Sequence, residues 1–303
     1  MHLLILKKQI QFSSEIKGIE MQEFKLRKNS FSLMQSAGEK CAKYISNKIS
    51  KNKEIFVVCG PGNNGGDGFI IGHSLIQKGY NVKIFLVLPL RNKDNDNYKA
   101  FKRLNCKVYS LKELNKELKK KTSPVIVDCI FGIGLNKNIS KKIKNLIKLI
   151  NHKKAFIISI DIPTGISSDN GTVMGSAIKA NLTLALHCKK VGHLLFPGAY
   201  FSGLVKILDI GIRRSLNKLK INKIKENDPK ILAYPVESVD KRYKNYNNIN
   251  LLNRLWEIAT KHQKVFRTIN RHISLIHGHT KNRLEPRIRG EGVLLMKNFL
   301  KGL

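Results

Sequence analysis

The chain has 303 residues, 42% of them hydrophobic, which suits one large or two small globular domains and excludes an intrinsically disordered polymer. Its 56 Lys and Arg against 21 Asp and Glu give a formal net charge of +35, a balance that suits nucleic acid or an acidic membrane when it is focused on one face. Here the lysines are spread between apolar blocks, as in "NKELKKKT" and "NISKKIKNLIKLINHKK", without one patch of interleaved aromatics, so nucleic acid is not the expected partner.

Residues 14–50 carry apolar side chains at spacings of three and four and predict helices. Short apolar runs follow at 54–60, 82–88, 124–132, 155–163, 182–188 and 204–211, rich in β-branched residues and apolar on both faces, as central parallel strands are. Helices are predicted between them over 68–79, 93–104 and 139–151. The alternation predicts an α/β fold with a doubly wound, mostly parallel sheet and helices on both faces. From about residue 213 the strand signal stops, so 1–213 is expected to be the folded domain and 214–303 a basic, weakly specified extension.

The opening "MHLLILKKQIQF" places its charges after a short apolar run, unlike a secretory leader, and no stretch approaches a membrane span. The five cysteines, at 41, 59, 106, 129 and 188, form no CxxC pair. Free thiols in a reducing compartment, and hence the cytoplasm, are expected.

Chemistry concentrates in "GPGNNGGDG", residues 60–68, between the first apolar run and the next helix. Ligands of such sheets bind beyond the carboxyl ends of the strands, and bare backbone at a helix start favours an anion. Three readings compete. The segment formally matches GxGxxG, but Arg91 stands where a dinucleotide fingerprint wants an acidic residue after the next strand. A P-loop would need GK[ST], which is absent. A plain turn would not call for Asn63, Asn64 and Asp67 together. Further carboxylates end other apolar runs: Asp128 before "CIFGIGLNKN", Asp161 before "IPTG", and Asp209 in "ILDIG". Asn64, Asp128 and Thr164 offer only hard oxygen ligands, which suit an alkali or alkaline-earth cation and not zinc.

With "GPGNNGGDG", "VDCIFGIGL" and "SIDIPTG" in this order, the sequence resembles the NAD(P)H-hydrate epimerase family of the YjeF N-terminal type. The resemblance covers residues 14–213 and includes "SLMQSAG", "HCKKVGHLLFPG" and "GLVKILDIGI". It implies a Rossmann-like fold, a homodimer, and an isomerase that interconverts the R and S forms of NADHX and NADPHX, hydrates of the nicotinamide ring. By motif, Asn63, Asn64, Gly65, Gly66 and Asp67 would contact the dinucleotide. The loop of Gly132, Ile133, Gly134, Leu135, Asn136, Lys137 and Asn138 would cradle its phosphates. Asp161 would face the reacting ring as the acid/base group, and Asn64, Asp128 and Thr164 would hold potassium (K+), with threonine replacing the family's frequent serine. Many relatives fuse this domain to a dehydratase. "YPVESVDKRYKNYNNINLL" sits where one would begin but lacks its glycines, and 214–303 reads as a remnant.

Lys189 and Lys190 read as solvated, although they could reach phosphates. His187 and His193 are expected to pack or to hydrogen-bond, Arg91 hints at tolerance of a 2′-phosphate, and His277 and His279 lack a partner for a metal. The competing functions are a non-catalytic module of the same fold, tied to RNA by the basic charge, and a decaying enzyme with an unstable fold.

Overall fold

The computed structural model describes residues 10–213 except 28, 91, 92 and 121. All belong to the first of the two units into which the chain divides, Met1–Glu226. Arg91, His277 and His279 lie outside the described residues, as does the whole of the expected extension, 214–303.

The main sheet has seven parallel strands in the order β4-β3-β2-β5-β6-β7-β9. Its strands are β2 (Ile55–Cys59), β3 (Val82–Leu86), β4 (Val108–Ser110), β5 (Val125–Cys129), β6 (Phe156–Ile160), β7 (Leu182–Leu186) and β9 (Leu204–Leu208). A two-stranded parallel pair joins β1 (Ile10–Gln11) to β8 (Lys189–Lys190). The helices are α1 (Ser13–Arg27), α2 (Phe31–Ser46), α3 (Asn63–Gln77), α4 (Asp96–Lys102), α5 (Leu111–Leu118), α6 (Lys141–His152) and α7 (Gly198–Ser202).

Alternate residues of each central strand feed opposite layers. Val57 and Cys59 of β2 pack with Phe69 and Leu75 of α3 and with Cys41 and Ile45 of α2. Phe56 and Val58 join Leu114 of α5 and Ile143, Leu146 and Ile150 of α6. Full burial of each such side chain contributes about 1.5–3 kcal/mol, which explains why these strands read as continuous apolar runs.

The structure departs from the sequence reading at α3, β4 and α5, and it adds β1, β8 and α7, for which the sequence held no expectation. Helix α3 begins at Asn63 and not at 68, so most of the glycine-rich stretch is helix and not loop. Strand β4 was not expected: its three residues lie at the sheet's edge and are partly or fully exposed, and they offer no apolar run. Helix α5 was also not expected, although its capping box is plain, with the Ser110 hydroxyl accepting from the Glu113 amide and the Glu113 carboxylate accepting from the Ser110 amide.

The amino-terminal segment is tied to the far side of the sheet. Gln11 aligns with Lys190 in the β1–β8 ladder, and the Ser13 amide and hydroxyl donate to Asp169. At the other end of α1, buried Glu23 accepts from Arg27 and from the Arg213 amide, while Arg27 also donates to the Gly211 carbonyl. Burial opposes the Glu23 charge, but these donors outweigh it and hold its pKa below the ordinary value. Helix α1 is therefore fixed at both ends.

Candidate active site

Strand order reverses between β2 and β5, and in a parallel sheet the crevice beyond that reversal is where ligands bind. A cavity of about 750 Å³ opens there, lined by the start of α3, the loop after β5, Asp161 after β6, and α1.

The glycines first serve close approach. A Cβ on Gly60 would lie 1.9 Å from the Ile130 carbonyl oxygen, and one on Gly65 would lie 2.0 Å from that of Gly60. On Gly66 it would meet the Met34 sulfur at 2.5 Å, and on Gly68 the Cys59 sulfur at 2.7 Å. Helix α3 thus starts almost in contact with the ends of β2 and β5, which any side chain would forbid. Gly65 and Gly66 are buried and do not line the cavity, whereas Asn63, Asn64 and Asp67 do. Asn97 of α4 braces the turn by donating to the Gly62 carbonyl at 2.6 Å, a role its sequence context did not reveal. Gly65→Ala is expected to destabilise the protein by about 1–3 kcal/mol, since the obstacle is backbone and cannot rotate away. Urea unfolding checks this, and a change below about 0.5 kcal/mol, the range of unremarkable surface changes, would refute it.

Asp128, on β5, is fully buried. Its carboxylate accepts from the Thr164 hydroxyl at 2.6 Å, the Thr164 amide at 2.9 Å, the Ser159 hydroxyl at 2.8 Å and the Ile130 amide at 3.2 Å. Burial raises its pKa, and the four donors pull against that rise. The Thr164 hydroxyl also accepts from the Phe131 amide, so this cluster anchors the loop after β5. Every residue of that loop from Gly132 to Asn138 lines the cavity.

Asp161 sits immediately beyond β6 with φ of 67°, a left-handed conformation that aspartate tolerates better than most residues. Its carboxylate accepts from the Ile133 amide at 3.4 Å and from the Lys190 ammonium. Lys190 is fully buried and also donates to the carbonyls of Leu186, at 2.8 Å, and Cys188. Reading it as a solvated lysine was therefore wrong. Burial, the largest single influence, would lower its pKa, but the charge and hydrogen bond of Asp161 together with the charges of Cys188 and Glu20 outweigh it, and the net shift is upward, so the ammonium stays charged. His193 completes the arrangement: the Lys190 amide donates to its Nδ1, which leaves Nε2 to donate to the Asp161 carbonyl at 2.9 Å. The expectation of a hydrogen-bonding role for His193 matches this geometry.

Asn64 and Asp161 converge on one point. A Cβ on Gly132 would lie 3.1 Å from Asp161 Oδ2 and 3.3 Å from Asn64 Oδ1. Asn64 is 8% exposed, yet neither amide atom of its side chain has a hydrogen-bonding partner among the described residues. A buried amide in that state points to a ligand. Its oxygen is a hard donor of the kind an alkali cation takes, and so are those of Asp128 and Thr164, which are fully buried and do not line the cavity. Asp67, nearly buried on α3, has its pKa pushed well above the ordinary value by burial, with the charges of Asp161 and Glu20 adding to the effect.

Among the described residues no helix is long and apolar enough to cross a membrane. All five cysteines are free thiols, four of them buried.

The sequence matches the family model described as "YjeF-related protein N-terminus" over residues 30–192. It is 32% identical over 175 residues to an NAD(P)H-hydrate epimerase of Oenococcus oeni, covering 57% of this chain and 81% of that protein. It is 36% identical to the enzyme of the same name from Weissella koreensis, covering 57% and 78%. A bifunctional NAD(P)H-hydrate repair enzyme of Thermofilum pendens is 34% identical over 203 residues, which are 65% of this chain but only 39% of that longer protein. In fold, the crystal structure of yeast YNL200c superposes with a TM-score of 0.58 at 23% identity, covering 73% of this chain and 97% of that one. Motif, topology and relatives agree: the chain belongs to the YjeF-related N-terminal family.

Proposed function

We propose that the chain is an NAD(P)H-hydrate epimerase acting on the R and S hydrates of NADH and NADPH. The observation that carries this reading is the meeting of Asp161, backed by Lys190, with the unpartnered Asn64 amide and the Gly132–Asn138 loop in one cavity at the reversal of strand order. A non-catalytic module would not need a carboxylate held against a buried ammonium beside an open cavity. The names of the relatives support the same activity, and the free, buried thiols support a reducing cytoplasm.

The hydrated ring has a carbon that bears both a hydroxyl and the ring nitrogen. Its inversion needs that centre to open and close again, by loss and return of water or by opening of the ring, and either route requires a placed acid/base group. Asp161 takes this role. Lys190 donates to its carboxylate, and His193 holds its backbone. The amides at the start of α3 and in the loop after β5 position the phosphates. Potassium, where bound, would be held by Asn64, Asp128 and Thr164 and would supply a fixed positive charge beside the dinucleotide. The family resemblance supports a homodimer as the working form.

The deciding test is incubation of the protein with pure R-NADHX and an S-specific dehydratase. Consumption of the R form faster than its spontaneous isomerisation is expected, and no acceleration would overturn the reading. Potassium has its own test in thermal unfolding. At ten times its Kd a ligand adds about 1.4 kcal/mol, which for a domain of this size raises Tm by roughly 3–6 °C. Potassium chloride is expected to exceed lithium chloride by this margin in the wild type but not in Asn64→Ala.

A further inference from the structure

We propose that Glu20, on helix α1, is a second proton-transfer group of the epimerisation, working with Asp161 in the cavity that both line. This rests on the function proposed above and names a residue outside the motifs that suggested it. Glu20 lines the cavity together with Asp67, Asp161 and Asn64. The last of these, more than nine-tenths buried and unpartnered, marks the place as a ligand site independently of the carboxylates. Helix α1 brings Glu20 there because Ile16, Ile19 and Glu23 bury its inner face and because the β1–β8 ladder aligns the segment before it with Lys190.

The charges around Glu20 come from each neighbouring element: Lys17 on its own helix, Asp67 on α3, Asp161 after β6 and Lys190 on β8. Burial, followed by the Asp161 charge, raises its pKa to about 7, while Lys190 and Lys17 oppose the rise. A carboxyl group with that value is part acid and part base at neutral pH, as reversible proton transfer in both directions requires.

Protonated Glu20 gives its proton to the ring hydroxyl as the carbon–oxygen bond breaks. Water leaves, and the nitrogen lone pair forms a carbon–nitrogen double bond. The Asp161 carboxylate stabilises the resulting cation. Water then adds to the other face and gives its proton to the Asp161 carboxylate, the double-bond pair returns to nitrogen, and solvent in the cavity carries that proton from Asp161 back to Glu20.

The test compares wild type, Glu20→Gln and Glu20→Asp in the R-NADHX assay across pH 5–9, with thermal unfolding of each. Glu20→Gln is expected to lower kcat about 100-fold, leave KM within about threefold and remove the inflection near neutral pH. Glu20→Asp keeps a carboxyl group and is expected to retain an inflection at a shifted pH with intermediate kcat. Where Glu20→Gln does not fold, the Glu20→Asp profile decides. Wild-type kcat and pH profile in the folded variants would overturn the proposal and leave the epimerase reading standing. An inert wild type would overturn both.

Discussion

Asp161→Asn is expected to lower epimerase turnover by about 10³–10⁴-fold while changing dinucleotide affinity by no more than a few-fold. The size follows from loss of a placed proton-transfer group, worth roughly 10²–10⁴ in rate, together with the charge that steadies the opened ring. The selectivity follows from geometry. Asparagine tolerates the left-handed φ of 67° nearly as well as aspartate, so the turn after β6 is kept. Its side-chain oxygen can still accept from the Ile133 amide, so the loop that lines the cavity keeps that tether. What disappears is the ability to exchange a proton and to answer the Lys190 ammonium. Chromatographic resolution of R- and S-NADHX gives the rate, and titration with NADPH gives the affinity. Turnover within tenfold of wild type would remove Asp161 from the mechanism.

Asp128 and Asp161 were legible in the sequence because a carboxylate that ends a long apolar run stands out against its surroundings. Asn64 was legible because a pair of asparagines has no place in a simple glycine turn. The same apolar runs made six of the seven strands of the main sheet visible, since strands buried on both faces carry no polar interruption. The start of α3 was misjudged for a physical reason. Glycine is a poor helix former, and propensity argues for a loop, but the strand ends approach so closely at Gly60, Gly65 and Gly68 that only glycine lets the helix begin there. Lys190 was hidden by composition: among 56 Lys and Arg, one buried lysine looks like any other until its surroundings are known. Glu20 was hidden for a related reason. It lies on a helix among charged neighbours, and only the fold brings it to the cavity that Asp161 also lines.

Lys190→Met should expose how far the site depends on this concealed charge. Methionine fills a similar volume, so packing changes little. The Asp161 carboxylate, only 10% exposed, is left without its ammonium, and the Leu186 and Cys188 carbonyls lose a donor. Removing one member of a buried pair costs about 3–5 kcal/mol, and turnover should fall with it because the Asp161 carboxylate loses the ammonium that holds it in place. In the double variant Asp161→Asn/Lys190→Met the stranded charge is gone. It is therefore expected to be more stable than Lys190→Met by about 1–3 kcal/mol, while turnover stays at the level of Asp161→Asn. Alkaline pH offers an independent check. The folded pKa of Lys190 is raised above its ordinary 10.5, so its contribution to stability is complete below that value and is lost as pH rises through the higher folded value. Wild-type protein should thus lose stability on this account only in strongly alkaline solution, and Lys190→Met should lack that loss. Equal unfolding free energies for wild type and Lys190→Met at pH 7 would mean that the pair contributes nothing to the fold.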